Sequence, residues 1–482
     1  MNPRMNFSRR AFLKAGLTGA SFAAFPQLLS SRAWGATSAN NRLNVAVIGC
    51  GNRSVALIPS VLQEGHNIVA MCDVDPAAIA SLKAGQPNPR DRRARKGGKP
   101  PAALSAGIAK AKEYDDFRRL LEREKSLDAV IIATGQRWHM PMSKAVLQAG
   151  KHVFCEKPLA HSVAEARDMA LFMRDKQKLV TQIGTQGGAS DTFRRSMEVI
   201  QAGLLGQVRQ VYCWMDRTFP PSETIARDAD PIPSGLNWDA WCGPSPVHPF
   251  KDHYLGGCLA WGRWLDYGDG HLADMGAHAH NLPLRALELG PPLRISVESS
   301  EPAKDSYPSA NKFQWHFAAR GRFDPVTVWW LDGPNAAPPR EYTADILATY
   351  QKVPANGCLF VGEKGILLAD AWGKGGVMRL NSDSSPRCRG VLDHEAAKAV
   401  AVTYPRAPGQ DHMKEFLDAC RGGSNTFQPF DIAARAAEFA MTGMVAMRVG
   451  QTIEWDSANL KAKGCPEADR WIHLAQRKKW LA

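Results

Sequence analysis

Asp274 and His278 stand four residues apart in the stretch Gly268-Asp269-Gly270-His271-Leu272-Ala273-Asp274-Met275-Gly276-Ala277-His278. On a helix that spacing puts both side chains on one face, about one turn apart. A histidine near its ordinary pKa accepts a proton close to neutrality, and a carboxylate beside it can orient the ring. Far upstream, Lys157 follows an apolar run in Lys151-His152-Val153-Phe154-Cys155-Glu156-Lys157-Pro158-Leu159. A partly buried lysine there would set a positive charge beside a developing alkoxide. Such a trio suits removal of a hydroxyl proton as the adjacent C–H bond breaks. Taken singly, each residue is as readily a surface feature, and His280 competes for the role of the imidazole.

The elements that must position these groups are written in apolar runs and glycines. Leu43 onward reads L-N-V-A-V-I-G-C-G-N-R-S, an apolar run that ends at Gly49 and turns through Gly51 into a helical pattern. A second run, His66–Cys72, ends on Asp73, 22 residues beyond Gly51. This is a βαβ unit whose first turn brings backbone N–H groups and a helix N-terminus to a pyrophosphate, with the acid placed for ribose hydroxyls. Ser54 replaces the third glycine of that fingerprint. Asp73 would repel a 2′-phosphate, which favours NAD over NADP, although Arg53 and a nearby basic stretch work the other way. A helix over Asp116–Glu124, a strand over Leu127–Ala133 and a helix reaching Ala149 continue the alternation. Alternating strands and helices predict a parallel sheet that binds ligands at the carboxyl ends of its strands, where Thr134, His139, Glu156 and Lys157 fall.

From about Thr181 the alternation gives way to strand-like runs such as Val208–Trp214 and Val326–Leu331. The expected organisation is a dinucleotide-binding domain over 43–158, with a basic insertion at about 84–112. A substrate-binding domain over 159–482 would follow, with a closing helix at about 431–449. Within Leu236–Leu265 six aromatic residues, Trp238, Trp241, Phe250, Tyr254, Trp261 and Trp264, alternate with Asp239, His253 and Arg263. Flat aromatic faces beside hydrogen-bonding groups suit a sugar ring. The substrate candidates are Arg217, Trp238, Tyr254, Trp261, Arg263 and Trp264.

Phe7-Ser8-Arg9-Arg10-Ala11-Phe12-Leu13-Lys14 resembles a twin-arginine export signal, a pathway that carries folded proteins. The apolar run from Ala11 to Leu29 is interrupted by Lys14 and Pro26 and is too short for a membrane anchor. Residues 1–36 are therefore expected to be a removable signal that engages the twin-arginine machinery and delivers the chain to the periplasm or otherwise outside the cytosol. The formal charge of +13 is concentrated in that segment and in residues 83–99, and the rest of the chain is close to neutral. A nucleic-acid-binding surface is not expected. Ten cysteines include no C-x-x-C pair, so no metal site is expected. A chain that folds in the reducing cytosol is expected to form no disulfides.

These motifs, with the closing run Ala433-Ala434-Arg435-Ala436-Ala437-Glu438-Phe439, resemble the glucose–fructose oxidoreductase and inositol dehydrogenase family. The resemblance implies a doubly wound Rossmann domain followed by an α+β domain with an open, largely antiparallel sheet. It implies Lys157 binding and polarising the reacting hydroxyl, His278 as acid/base and Asp274 orienting substrate or histidine. It further implies NAD held by Gly49, Gly51, Asn52, Arg53, Asp73, Thr134, Trp138, His139, Glu156, Lys157 and Gln186, a carbohydrate substrate and a homo-oligomer. Related chains often read T-P-D-H-W-H where this one has Thr134-Gly135-Gln136-Arg137-Trp138-His139.

An exported nicotinamide enzyme could not regenerate a released cofactor, so NAD is expected to be tightly bound and returned to its starting state each cycle. Oxidation of one sugar coupled to reduction of another does this. So does a redox-neutral glycoside cleavage, which needs a second base from among His253, Tyr254 and His271. A non-catalytic sugar or nucleotide sensor is a further alternative, against which the joint presence of Lys157, Asp274 and His278 argues.

Overall fold

The computed structural model describes residues 41–90, 99–176 and 178–481. The expected export signal and residues 91–98 of the basic stretch lie outside the described residues. A first sheet holds six parallel strands: β1 (Asn44–Ile48), β2 (Asn67–Cys72), β3 (Lys112–Tyr114), β4 (Ala129–Ile132), β5 (His152–Cys155) and β6 (Thr181–Ile183). Their order is β3-β2-β1-β4-β5-β6. The inner strands β1, β2, β4 and β5 are largely apolar because helices cover both faces. Val45, Val47 and Ile131 face one layer with Phe154, whereas Ala46, Ile48 and Ile132 face the other.

The register levels the strand ends. Ile48 sits opposite both Cys72 and Ile132, Ile132 opposite Cys155, and Cys155 opposite Ile183. The residues that follow, Gly49, Asp73, Ala133, Glu156 and Gly184, therefore emerge side by side along one edge. The sheet also runs past residue 158, where the sequence pattern placed its boundary, because β6 adds a sixth strand after the helix Val163–Met173. Three residues, Thr-Gln-Ile, with a single apolar side chain, are too short and too polar to announce a strand.

The second sheet has ten strands. Six are β7 (Val208–Met215), β8 (Arg294–Ser299), β9 (Asn311–Phe317), β10 (Val326–Asp332), β11 (Asn356–Gly362) and β12 (Gly365–Ala369). The others are β13 (Val377–Leu380), β14 (Arg389–Gly390), β15 (Ile453–Asp456) and β16 (Lys461–Lys463). Their order is β14-β13-β12-β11-β7-β10-β9-β8-β15-β16. All neighbours are antiparallel except β7 and β10. The helix Phe430–Val449 ties the two sheets together. Its first turns, Phe430 to Ala437, enter the core of the parallel sheet, and Phe439 to Met447 enter that of the second. Met413, Phe416 and Leu417 likewise pack under the parallel sheet, so residues 41–482 form one compact unit. No described helix is long and apolar enough to cross a membrane.

Candidate active site

A cleft of about 530 Å³ opens along the carboxyl ends of the parallel strands. Gly49 has φ of +89°, and a Cβ there would lie 2.5 Å from the Ala133 carbonyl oxygen. Only glycine fits so tight a turn. Gly51 starts the helix Asn52–Gln63, and a Cβ there would meet nothing within 4 Å. The turn thus presents open backbone at a helix N-terminus, the arrangement that receives a phosphate. Ser54, at the missing third glycine, is buried and donates its hydroxyl to the Gly51 carbonyl at 2.6 Å. Asp73 accepts from the N–H groups of Cys50 at 2.7 Å and Asp75 at 2.9 Å. Burial pushes its pKa up to about 6 against those two bonds.

Asn52, Arg53, Thr134, Trp138, His139, Glu156, Lys157 and Gln186 line the same cleft. Arg53 Nε pairs with Glu156 Oε1 at 2.5 Å. His139 is committed to structure: Nδ1 lies 2.6 Å from the Pro158 carbonyl oxygen and Nε2 3.1 Å from that of Thr134. It joins the loops after β4 and β5. The basic insertion contributes as well: Arg90 lines the cleft and pairs with Asp75 at 2.5 Å.

Lys157, Asp274 and His278 meet at the other end. Lys157 Nζ donates to Asp274 Oδ1 and to the Asp274 carbonyl oxygen, both at 2.6 Å. The expected continuous helix is broken here. Helices Gly270–Asp274 and Gly276–Ala279 flank Met275, and His278 N–H bonds to the Met275 carbonyl instead of that of Asp274. Arg217, outside the cleft lining, reaches within 3.7 Å of Asp274 Oδ2. Burial works to raise the Asp274 pKa, but Lys157 prevails and holds it below the usual carboxylate value. His278 is held well below its usual value by burial first and then by the Lys157 charge. Its imidazole is neutral at neutral pH and can take a proton.

The aromatic segment divides. Tyr254 and Trp261 line the cleft, joined by Trp241, which was outside the substrate set. Trp238 and Trp264, with the fully buried Tyr254, instead form the centre of the loop, and the Trp238 indole donates to the His248 carbonyl oxygen at 2.9 Å. Arg263 turns away to Glu223 at 3.2 Å. Large rings at such density must pack on one another, and only those at the margin remain for a ligand. Trp372, whose ring centre is 5.9 Å from that of His278, also lines the cleft. Its loop, after β12, carries no local chemical signal.

Arg137, at the place of the departing motif, is buried and aims its guanidinium into this segment. Nε donates to the carbonyl oxygens of Trp241 and Cys242 and Nη1 to that of Tyr267, all at 3.1 Å. The charge also lies 4.0 Å from the Trp241 ring centre. Gly135 makes room for it, since a Cβ there would stand 2.5 Å from Arg137 Nη1. Gly135→Ala is expected to cost about 1–3 kcal/mol by displacing a buried charge from its acceptors. In an Arg137→Met background the same change should cost far less, which a double-mutant cycle of thermal or denaturant unfolding measures.

A strand-end cleft with a glycine turn, a ribose-side acid and a lysine–aspartate–histidine cluster defines a nicotinamide-dependent oxidoreductase. Residues 43–184 match the family model described as "Oxidoreductase family, NAD-binding Rossmann fold", and 196–323 match "Oxidoreductase family, C-terminal alpha/beta domain". The two matches together span more than half of the chain, which belongs to this Gfo/Idh/MocA family. A glycosyl hydrolase family 109 protein of Shewanella sp. ANA-3 is 34% identical over 179 residues, 34% of this chain and 36% of that protein. An inositol 2-dehydrogenase of Salmonella typhimurium is 31% identical over 115 residues, 24% of this chain and 34% of that one. The chain thus spans about a third of the length of these curated relatives. The fold is shared with the WlbA dehydrogenase of Bordetella pertussis, solved with NADH and UDP-GlcNAcA. That comparison has a TM-score of 0.56 and 14% identity, covering 86% of this chain and 99% of that one. An inositol dehydrogenase homologue of Azotobacter vinelandii, solved with NADH and myo-inositol, gives a TM-score of 0.52 at 16% identity, covering 86% and 98%.

Proposed function

We propose that this protein is an exported oxidoreductase that acts on a secondary hydroxyl of a sugar or related polyol and keeps its NAD through the cycle. The observation that carries the reading is the Lys157–Asp274–His278 cluster at the strand-end cleft. The cleft fits the cofactor. Gly51 leaves backbone open for the pyrophosphate, Asp73 faces the ribose position, and the Gln186 amide oxygen is buried without a protein partner, a fit for a carboxamide donor. NAD, when bound, supplies a hydride acceptor. Lys157 stabilises negative charge on the substrate oxygen, His278 takes the hydroxyl proton, and Asp274 fixes the lysine and neutralises it in the resting site. Trp241 and Trp261 offer rings to the apolar face of the sugar.

The resemblance to a family 109 glycosyl hydrolase supports a second reading, in which oxidation is transient and a leaving group is eliminated. That scheme needs a second base. Tyr254 lines the cleft, yet burial pushes its phenol up to about 12, away from what a base requires. His253 stacks on Trp264 and His271 on Phe219. These placements favour the net oxidoreductase.

The full chain, matured and purified without added nucleotide, should release stoichiometric NAD or NADH on denaturation, read by chromatography. Absence of nucleotide would remove the held cofactor and the reason given for folded export. Release of nitrophenol from chromogenic glycosides would favour the second reading.

A further inference from the structure

The segment Arg477–Trp480 crosses from one half of the molecule to the other at one mouth of the cleft. On the substrate side, Arg477 Nε donates to the carbonyl oxygens of Gly243 and Ser245, both at 2.8 Å. Arg477 Nη1 pairs with Asp239 Oδ1 at 2.5 Å, and Lys479 Nζ pairs with Asp239 Oδ2 at 2.7 Å. On the nucleotide side, Arg118 Nη1 donates to the Lys479 carbonyl oxygen at 3.0 Å, and its guanidinium lies 4.7 Å from the Trp480 ring centre. Trp138 meets the Trp480 ring edge-on at 5.5 Å.

Trp480 lines the cleft together with Asp115, Asp116 and Phe117, the residues that follow β3. In this strand order the ends of β2 and β3 flank the adenosine end of a dinucleotide. The Trp480 indole nitrogen is buried and meets no protein acceptor. A shielded donor without a partner is costly, and adenine ring nitrogens are acceptors.

We propose that Trp480 is a binding residue for the adenosine half of the dinucleotide and that Arg477–Trp480 is the strap that retains it, fastened at Asp239. The proposal rests on the reading that NAD is held through the cycle. A nucleotide bound beneath this segment leaves only when the strap lifts from one half. Asp239 is the natural release point, because one carboxylate holds two cations and is 43% exposed, so its bonds are weakened by water and salt.

The test measures the dissociation rate of NADH from the full chain by fluorescence, chasing with excess NAD. Three forms are compared with it: Trp480→Ala, Asp239→Asn and a chain ending at Gln476. Loss of a base–aromatic contact corresponds to roughly a tenfold or greater change. Trp480→Ala and the shortened chain should therefore release NADH at least about tenfold faster, and Asp239→Asn should be faster with a flatter salt dependence than the parent. Far-ultraviolet circular dichroism identifies any form that has not folded, and the two point variants then decide. A parent that retains NADH alongside variants that retain it equally well would overturn the strap. A parent that exchanges NADH freely would instead sink the held cofactor. The equilibrium Kd for NADH then judges Trp480, with tenfold weakening supporting its role and an unchanged value excluding it.

Discussion

Replacement of Lys157 by Met is expected to leave a folded protein that still binds NADH and to lower turnover by about 10²–10³-fold or more. Methionine keeps much of the side-chain length and bulk while removing the charge proposed to stabilise the reacting oxygen, and loss of one such donor carries that magnitude elsewhere. The parent site also pairs Lys157 with Asp274 at 2.6 Å, with both side chains about 85% buried. Breaking a buried pair from one side strands the remaining charge, at a cost of about 3–5 kcal/mol. Arg217, 3.7 Å from the other Asp274 oxygen, limits that cost. A lower melting temperature with NADH binding intact is the anticipated signature. Undiminished turnover by this variant would remove the proposed site.

His278→Gln should lower kcat/KM for alcohol oxidation by about 10²–10⁴-fold, the range for loss of a positioned acid/base. The pH dependence is the more diagnostic readout. Burial and then the Lys157 charge hold the imidazole well below its ordinary value. Oxidation needs the neutral ring, so kcat/KM should stay flat down to about pH 6.5 and fall only in more acidic solution, as the ring takes up a proton. In the reductive direction the protonated ring is required, and the rate should fall as pH rises through that same low value. The Gln variant should lose this limb in both directions. In Lys157→Met the ring is relieved of a neighbouring cation, so its titration, followed by imidazole resonances, should move upward. An oxidation limb that stays in place in the Gln variant would assign the proton transfer to another group.

Much of this architecture was legible before any coordinates. Strands buried on both faces write continuous apolar runs, and a phosphate-facing turn needs residues without side chains, so β1, Gly49, Gly51, β2 and Asp73 announce themselves. Glu156-Lys157 and Asp274/His278 were also readable as types and spacing. Their meeting was not, since 117 residues separate Lys157 from Asp274 and the contact is made through both a carboxylate and a main-chain carbonyl oxygen. That carbonyl contact accompanies the break in the helix expected across Asp274 and His278.

The aromatic loop shows what sequence left undecided. Its composition suggests a sugar platform, but Trp238 and Trp264 fill the loop's own core while Trp241 and Trp261 reach the cleft. Adjacent rings of one type were sorted by which side of a tightly turned segment met solvent, a property of packing and not of local pattern. Arg137 stands where related chains often carry a histidine and is a buried anchor for three main-chain carbonyl groups, possible because Gly135 leaves space for it. Trp372 and Trp480 join the cleft from segments with no motif at all. The nucleotide-binding turn, the parallel direction of the strands and the chemical groups could be read from local sequence, because burial and backbone geometry act within a few residues. Tertiary structure alone decided which side chains face the ligand, because that depends on where distant segments close over the strand ends.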